Sequence, residues 1–448
     1  MSEPNVTIIG AGMAGFGAAY QLHQERIACT IYDNRPQRGG HTSSYAYDDG
    51  FIFDEGPHVS FTENKRIQQL FADSVGGRFE RIKTYVNNYW HGHWIKHPAQ
   101  VNLHGLPEDL VIQCIKDFVQ AQQHEPGEIG NYEDWLRAAF GPTFAMTFPA
   151  VYTRKYHTTD ARNLTTDWLG PRLYRPDLEE VLRGALCPET PDVHYIDKFR
   201  YPSHGGFVSY LDKFLPMAEQ HYGRTVTAID PAARTIRFAD GEQIGYEQLI
   251  SSVPLPELIP MVAGAPDDVR DAAAKLSCSQ VVIVNVGINR PDISPAHWTY
   301  FYDEDICFAR LSFPKNLSPH TVPDGCSAVQ AEVYFSEKWK PMTGQPKDWI
   351  EPVVRDLIRV GLVKDDQEVI HRSVLFAPHG NVIFDQDRPG SLATVHGYLD
   401  DVGIAYCGRY GDWGYMWTDQ SFVSGEKAAR KVLGRLGQPT ASAAGDQG

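Results

Sequence analysis

The 448-residue chain has few cysteines, and none of them is paired in a motif: Cys29, Cys114, Cys187, Cys278, Cys307, Cys326 and Cys407 are scattered, odd in number, with no CxxC among them. This excludes a disulfide framework and a zinc knuckle and fits a reducing, cytoplasmic setting. No stretch approaches about eighteen consecutive apolar residues, so no membrane-spanning helix is expected. The opening MSEPNVTIIGAG lacks the basic region and cleavage site of a secretory leader. Basic residues are also in deficit, 41 Lys and Arg against 56 Asp and Glu for a formal charge of −15, which argues against a nucleic-acid partner. A local basic pocket for a small anion remains compatible with that charge. Metal and nucleophile signatures are missing too. His91, His93 and His97 lie beside Trp90 and Trp94 with no Cys or carboxylate at ligand spacing, which reads as a surface hairpin with core aromatics. There is no GxSxG and no HExxH. Internal repeats are absent, and only the Gly-, Ala- and Ser-rich tail at 438–448 reads as disordered.

What is present is a 42% hydrophobic chain long enough for two or three lobes, with 12% aromatic residues of the kind that wall ligand clefts or pack cores. Its first seventy residues are the most informative. Val6 to Ile9 is a short β-branched run that reads as a buried parallel strand. It enters Gly10-Ala11-Gly12-Met13-Ala14-Gly15, followed by helical spacing from Phe16 to Leu22. A second strand, Cys29 to Tyr32, ends in Asp33, eighteen positions after Gly15. A GxGxxG motif between strand and helix with an acid at that distance is the dinucleotide fingerprint. Gly10 makes the tight turn, Gly12 lets backbone N–H groups approach a pyrophosphate, Gly15 allows close helix packing, and the helix N-terminus favours the phosphate charge. FAD and NAD share this fingerprint; the alternative is a glycine-rich turn without a ligand.

The segment after Asp33, namely Asn34-Arg35-Pro36-Gln37-Arg38-Gly39-Gly40-His41, and then Asp54-Glu55-Gly56-Pro57-His58, resembles the FAD-binding amine-oxidase superfamily. Within it, Gly56-Pro57-His58-Val59-Ser60-Phe61-Thr62 is similar to the Gly-Ala-His-Ile-Phe-His-Thr signature of the UDP-galactopyranose mutase and protoporphyrinogen-oxidase-like branch. The resemblance implies FAD as cofactor, with His58 beside the flavin; the plainer alternative is a histidine capping a turn. It also implies a discontinuous, GR2-type Rossmann-like FAD-binding domain in an α/β protein, with an inserted helical region and a mixed β-sheet substrate domain. The corresponding divisions are 1–80, 195–285 and 386–437 for the cofactor domain, 81–194 for a largely helical insertion and 286–385 for the substrate sheet and helix.

Residues 107–180 show helical periodicity, with Leu110, Ile112, Ile115 and Phe118 on one apolar face and Tyr132, Trp135, Leu136 and Phe140 on another. Short strands follow at Thr225–Ile229, which includes Val226, at Thr235–Phe238 and at Ile244, with Asp240-Gly241 as a turn signal. Gln248 to Val253 and Pro254 read as a buried strand, similar to the segment by which the superfamily's chain returns to the cofactor. Near the end, strand Ile404–Cys407 leads into Gly408-Arg409, and Thr418-Asp419-Gln420-Ser421 opens a helix. This resembles the superfamily's C-terminal flavin motif. By that resemblance Arg409 faces the flavin's pyrimidine side, where a fixed cation stabilises the anionic reduced form, and Asp419 with the residues after it holds the ribityl chain.

The same resemblance places Tyr415 and Arg310 as catalytic-site residues with His58, gripping a substrate diphosphate; the alternatives are packing for Tyr415 and an ion pair with a nearby carboxylate for Arg310. Val151 to His157 is similar to the mutases' Tyr-Thr-Glu-Lys-Gln-Trp segment, but Arg154 stands for the acid and His157 for the tryptophan that stacks on uracil. The implied function is a flavoenzyme that uses flavin N5 chemistry on a nucleotide sugar or glycan precursor, a small-molecule substrate, in a ring isomerisation. The alternatives are an oxidase or dehydrogenase taking a hydride from a C–N, C–O or C–C bond, and a flavin-bound protein without turnover.

Overall fold

A computed structural model describes residues 6–123, 127–170 and 173–437; the tail at 438–448 lies outside them. The strand Val6–Ile9 is buried along its whole length, with sheet neighbours on both sides; Ile8 packs toward helix residues such as Phe16 and Phe422, and Ile9 toward a cluster with Val226, Ile229, Ile236 and Leu258. It is the centre of a five-stranded parallel sheet ordered Ile404–Tyr406, Gln248–Ser251, Val6–Ile9, Cys29–Tyr32, Glu219–His221. In register, Ile8 lies between Ile250 and Ile31. The chain winds outward on one side of Val6–Ile9 and then returns to the other side, so the strand order reverses between Ile9 and Ser251. That reversal opens a crevice at the carboxyl ends of the strands, where ligands of doubly wound sheets bind.

Helix Met13–Gln24 and the long helix Thr418–Arg435 cover one face of this sheet, backbone against backbone. A Cβ on Gly17 would lie 2.0 Å from the carbonyl oxygen of Phe422, and one on Gly425 would lie 1.9 Å from that of Ala14. The two ends of the sequence are thus one unit, as the strand and helix motifs at 5–33 and 404–435 require.

The second layer is a seven-stranded, mostly antiparallel sheet in the order Val369–Ala377, Gln280–Ile288, Ser327–Phe335, Arg310–Ser312, Trp298–Phe301, Val86–Trp90, His93–Lys96. Two of its strands, Val86–Trp90 and His93–Lys96, come from the segment expected to be largely helical, and Gln280–Ile288 comes from the end of the segment expected to return to the cofactor domain. The hairpin Val86–Lys96 joins the sheet through the pairing of Val86–Trp90 with Trp298–Phe301, about two hundred residues away, which no local pattern encodes. The hairpin expected at His91–His93 forms, but Trp94 is 44% exposed and is not a core residue. Helices Glu108–Gln123, Tyr132–Phe140, Pro142–Thr147, Pro149–Tyr156 and Leu178–Leu186 build a separate lobe around Tyr132, Leu136, Phe140 and Phe148. Ile112, placed on the inner face by its spacing, is 55% exposed; Cys114 and Phe118 hold that side of the helix instead.

A short hairpin, Ser44–Ala46 with Ile52–Asp54, bridges the two sheets and carries the loop 55–58. It is pinned to the large sheet by a ladder of buried polar groups. Gln330 Nε2 donates to the Asp54 carbonyl at 2.7 Å and to Asn285 Oδ1 at 2.8 Å, and Asn285 Nδ2 donates to Ser373 Oγ at 3.1 Å. His371 continues the ladder, with Nε2 2.9 Å from Ser373 Oγ and Nδ1 2.6 Å from Asp49. A fully satisfied network of this kind fixes position more than it adds net stability.

Gly425→Ala is expected to cost about 1–3 kcal/mol by overpacking, measured by urea unfolding. Gly434→Ala on the same helix meets nothing within 4 Å and is expected to be neutral or stabilising by up to about 1 kcal/mol.

Candidate cofactor and active site

The crevice at the strand reversal opens into a cavity of about 660 Å³ between the two sheets. Its floor is the glycine turn. Gly10 has φ of 109°, and a Cβ there would lie 2.0 Å from Ser252 Oγ, so the turn is possible only for glycine. On Gly15 a Cβ would lie 1.9 Å from the Gly10 carbonyl oxygen, which makes Gly15 a packing residue outside the cavity lining. Gly12 differs from both. Its φ is −89°, and a Cβ would meet only Gly39 and Gly40 backbone atoms at 3.7 and 3.8 Å, ordinary contact. The polypeptide itself does not demand glycine at this position. Asp33 is buried at the cavity edge; Oδ2 accepts from the Ala11 N–H at 2.6 Å and Oδ1 from the Arg35 N–H at 2.7 Å. Each carboxylate oxygen keeps a second acceptor site for a ribose hydroxyl.

Two adjacent buried acids fix the loop above this floor. Asp54 accepts from Ser44 Oγ at 2.5 Å, Tyr201 OH at 2.7 Å and the Phe207 N–H at 3.1 Å; burial nevertheless raises its carboxyl to about 6. Glu55 receives Arg35 in a fork at 2.5 and 3.1 Å, His41 Nδ1 at 2.6 Å and Tyr45 OH at 3.1 Å. Burial opposes ionisation here as well, but the hydrogen bonds and charges of His41 and Arg35 outweigh it and hold the Glu55 carboxyl down at about 2. Arg35 and His41, expected to touch the cofactor, line the cavity while being anchored by this acid. His58 follows with Nδ1 3.0 Å from the Gly56 carbonyl oxygen. Burial first, then the Arg409 and His41 charges, lowers its imidazole to about 4 against the favourable pull of that carbonyl, so the ring is neutral at pH 7.

At the far wall, Arg409 donates to the Met416 carbonyl at 3.0 Å, to Asn381 Oδ1 at 3.2 Å and to the Gly380 carbonyl at 3.4 Å, and its guanidinium lies 5.1 Å from the Tyr415 ring centre. These acceptors are uncharged, and among the described residues no salt bridge reaches Arg409. Arg310 is the opposite case. Strand register sets it across from Glu332, whose carboxylate, 4% exposed as a residue, takes its Nε and its Nη2, the latter at 2.8 Å. The ion-pair alternative raised by the sequence is therefore what the structure contains. Around this pair stand Tyr156, Tyr300, Tyr334 and Tyr415, with the Tyr156 and Tyr415 hydroxyls 3.0 Å apart.

One cavity thus collects Gly10, Gly12, Met13, Ala14, Asp33, Asn34, Arg35, Gly39, Gly40, His41, Gly56, Pro57, His58, Val226, Val253, Arg310, Gly408, Arg409, Tyr415 and Ser421. Asp419 and Gln420 are not in its lining. Gln420 Oε1 accepts the Trp417 N–H at 3.0 Å and so closes the start of helix Thr418–Arg435, while Thr418 takes the cavity-facing place. Of the segment 151–157 only Tyr156 reaches the cavity. Arg154 pairs with Glu304 at the surface, and Lys155 Nζ donates to the Asp303 carbonyl at 2.5 Å, with burial lowering its amine to about 7. His157 is buried beside Trp168, ring centres 5.1 Å apart. Sequence reasoning missed Ser252, Glu332, Tyr334, His379 and Asn381. Glu332 and Tyr334 alternate along one strand face, but only their register with Arg310 gives that alternation meaning. Among the described residues, no three His, Cys, Asp or Glu side chains are grouped to hold a metal.

A protein-family profile described as an NAD(P)-binding Rossmann-like domain matches residues 8–74. A mitochondrial protoporphyrinogen oxidase of Nicotiana tabacum is 35% identical over 77 residues, 17% of this chain and 15% of that protein. The fold is shared with solved proteins named as a putrescine oxidase and a UDP-galactopyranose mutase, and the likeness to the second runs over nearly the whole chain. A solved reduced UDP-galactopyranose mutase matches with a TM-score of 0.90 and 26% identity over 96% of each chain. A Klebsiella pneumoniae protein named as a UDP-galactopyranose mutase is 28% identical over 137 residues, 29% of this chain and 33% of that one. The chain thus spans about a third or less of the curated relatives it matches. Putrescine oxidase, at 15% identity and a TM-score of 0.64, shares the fold alone.

The Glu55 cluster has a pH signature. Because the folded carboxyl sits at about 2 against an ordinary 4.5, its contribution is complete above pH 4.5 and is lost as pH falls toward 2. Glu55→Gln is expected to lower stability at pH 7 by on the order of 3 kcal/mol and to flatten the acid limb of a stability-versus-pH curve.

Proposed function

We propose that this chain is an FAD-dependent enzyme acting on a nucleotide sugar or glycan precursor through flavin N5, in a ring isomerisation or a related transformation. The observation that carries this reading is Arg409, a cation in the cavity wall that carbonyl and amide oxygens hold in place without neutralising it. Such a group is built to face an anion supplied by a ligand. The residues fit the cofactor: Gly12 leaves room that only a ligand uses, Asp33 retains acceptor capacity, and the N-terminal ends of helices Met13–Gln24 and Thr418–Arg435 open on the cavity through Met13 and Thr418. Bound flavin supplies N5, which accepts a hydride when oxidised and acts as a nucleophile when reduced.

The chain's own residues do the rest. Neutral His58 and the backbone of Gly56 and Pro57 give a close, uncharged surface for a flat ring, and Arg409 offers positive charge at one edge. Tyr156 and Tyr415 hydroxyls present donors for substrate phosphate, with Arg310 reaching it only alongside Glu332. A second reading, net oxidation by a hydride-accepting flavin, is favoured by one observation: Arg310 is already neutralised, which weakens the case for a dedicated diphosphate clamp. The seven free cysteines support a cytoplasmic location, and no described helix is long and apolar enough to cross a membrane.

Purified protein is expected to be yellow, with FAD released on denaturation. Colourless protein that FAD does not reconstitute would sink both readings. With UDP-galactopyranose, a mutase turns over after dithionite reduction without consuming reductant in proportion to product; an oxidase is instead bleached anaerobically by its own substrate. Arg409→Ala is expected to shift the flavin potential by about 30 mV or more in the negative direction, equivalent to about 1.4 kcal/mol for two electrons. Redox titration checks this, and an unchanged potential removes the role.

A further inference from the structure

The two arginines of the cavity wall are held by different chemistry. Arg310 meets a carboxylate, that of Glu332, whereas Arg409 meets a side-chain amide, that of Asn381, together with two backbone carbonyls. Asn381 comes from the segment 378–381, which leaves Val369–Ala377, the edge strand of the large sheet, and reaches the Gly408-Arg409 turn. This segment is gripped from both sides. On the sheet side, the Asn381 N–H donates to Ser279 Oγ at 2.9 Å, the Ser279 N–H donates to the Asn381 carbonyl at 2.8 Å, and the Gly380 N–H donates to the Ser279 carbonyl at 2.5 Å. A Cβ on Gly380 would lie 2.5 Å from Val281 Cγ2, so the segment sits directly on the strand Gln280–Ile288. On the cofactor side, Tyr410 OH lies 2.6 and 2.5 Å from the carbonyl oxygens of His379 and Gly380. Asn381 and Ser279 are both buried.

These bonds fix what the amide can do. A guanidinium only donates, so the atom that faces Arg409 at 3.2 Å is Oδ1. An aspartate has nearly the same shape and would accept the same proton. It would also neutralise the cation, as Glu332 does for Arg310 in the same cavity. The amide orients the guanidinium and leaves its charge uncompensated, and in a walled cavity that charge acts over a longer range than it would in water. The backbone pairing with Ser279 makes Asn381 part of the large sheet, so the acceptor that aims Arg409 comes from a different layer than Arg409 itself.

We propose that Asn381 is a positioning residue for the flavin chemistry, which fixes Arg409 from the large sheet and, as a neutral acceptor, leaves the charge of Arg409 available to reduced flavin. This rests on the flavoenzyme reading and on the role of Arg409 within it. It adds that the charge at the cofactor is set by a residue outside both glycine motifs, through the choice of an amide over an acid at one position.

The test is redox titration of the FAD-loaded parent and of Arg409→Ala, Asn381→Asp and Asn381→Ala, with both Asn381 changes repeated in the Arg409→Ala background. Asn381→Asp is expected to lower the preference for reduced over oxidised FAD about tenfold, read as a shift of about 30 mV in the negative direction. Asn381→Ala keeps the cation but frees it, and a loss of about threefold is expected. In the Arg409→Ala background both effects are expected to shrink, because Asn381 acts through that guanidinium. Asn381→Ala adds neither bulk nor charge, so it reads the role even if the aspartate variant loses its flavin. The proposal is overturned if no flavin-loaded Asn381 variant moves the potential, if alanine moves it as far as aspartate does, or if either shift persists in full without Arg409. A parent that holds FAD, with a potential that Arg409→Ala shifts, keeps the flavoenzyme reading intact whatever the Asn381 variants show. A parent without FAD overturns that reading first.

Discussion

Two neighbouring carboxylates, Asp54 and Glu55, hold the site together by facing in opposite directions. Asp54 turns toward the packing between the sheets and gathers Ser44, Tyr201 and the Phe207 amide; Glu55 turns toward the cavity and gathers Arg35, His41 and Tyr45. The loop that carries Gly56, Pro57 and His58 begins directly after them, so its position follows from these contacts. A buried ionised group is costly unless its partners are complete, and here they come from four separate stretches of chain. Any displacement of the hairpin would strand charge in the interior, which makes the loop's placement close to all-or-none.

The same pairing decides where positive charge is left exposed to the cavity of an acidic protein. Of the cavity's acids, Glu55 and Glu332 are paired with Arg35, His41 and Arg310, and Asp33 is held by two backbone amides. Arg409 stands apart because its acceptors are neutral dipoles. One unneutralised guanidinium in a walled cavity is worth more than a basic surface, since the low-dielectric surroundings do not screen it.

The ends of the fold were legible in the sequence for a physical reason. The glycine turn and the acid after the second strand lie within about thirty residues of each other, so their spacing is readable locally, and Gly408-Arg409 was read from its resemblance to a family motif; that Ser252 is what leaves no room at Gly10 was not readable. The parallel sheet and its helices followed from the same local signals. The large sheet was not legible, because the pairing of Val86–Trp90 with Trp298–Phe301 and the facing of Arg310 and Glu332 are long-range register choices. Ile112 misled because helical periodicity marks two apolar edges, and only the lobe's packing decides which one faces inward. At the start of helix Thr418–Arg435 sequence does not separate a capping group from a cavity-facing one: Gln420 Oε1 takes the Trp417 N–H, while Thr418 and Ser421 line the cavity.

Gly12 separates two kinds of requirement that glycines usually mix. At Gly10 and Gly15 a side chain would collide with the protein itself, so those positions are held by folding alone. At Gly12 the folded chain has room for a methyl group, so a side chain there would leave the fold intact and narrow the cavity floor instead. The same residue type thus divides the turn into positions that report on folding and one that reports on the space above it.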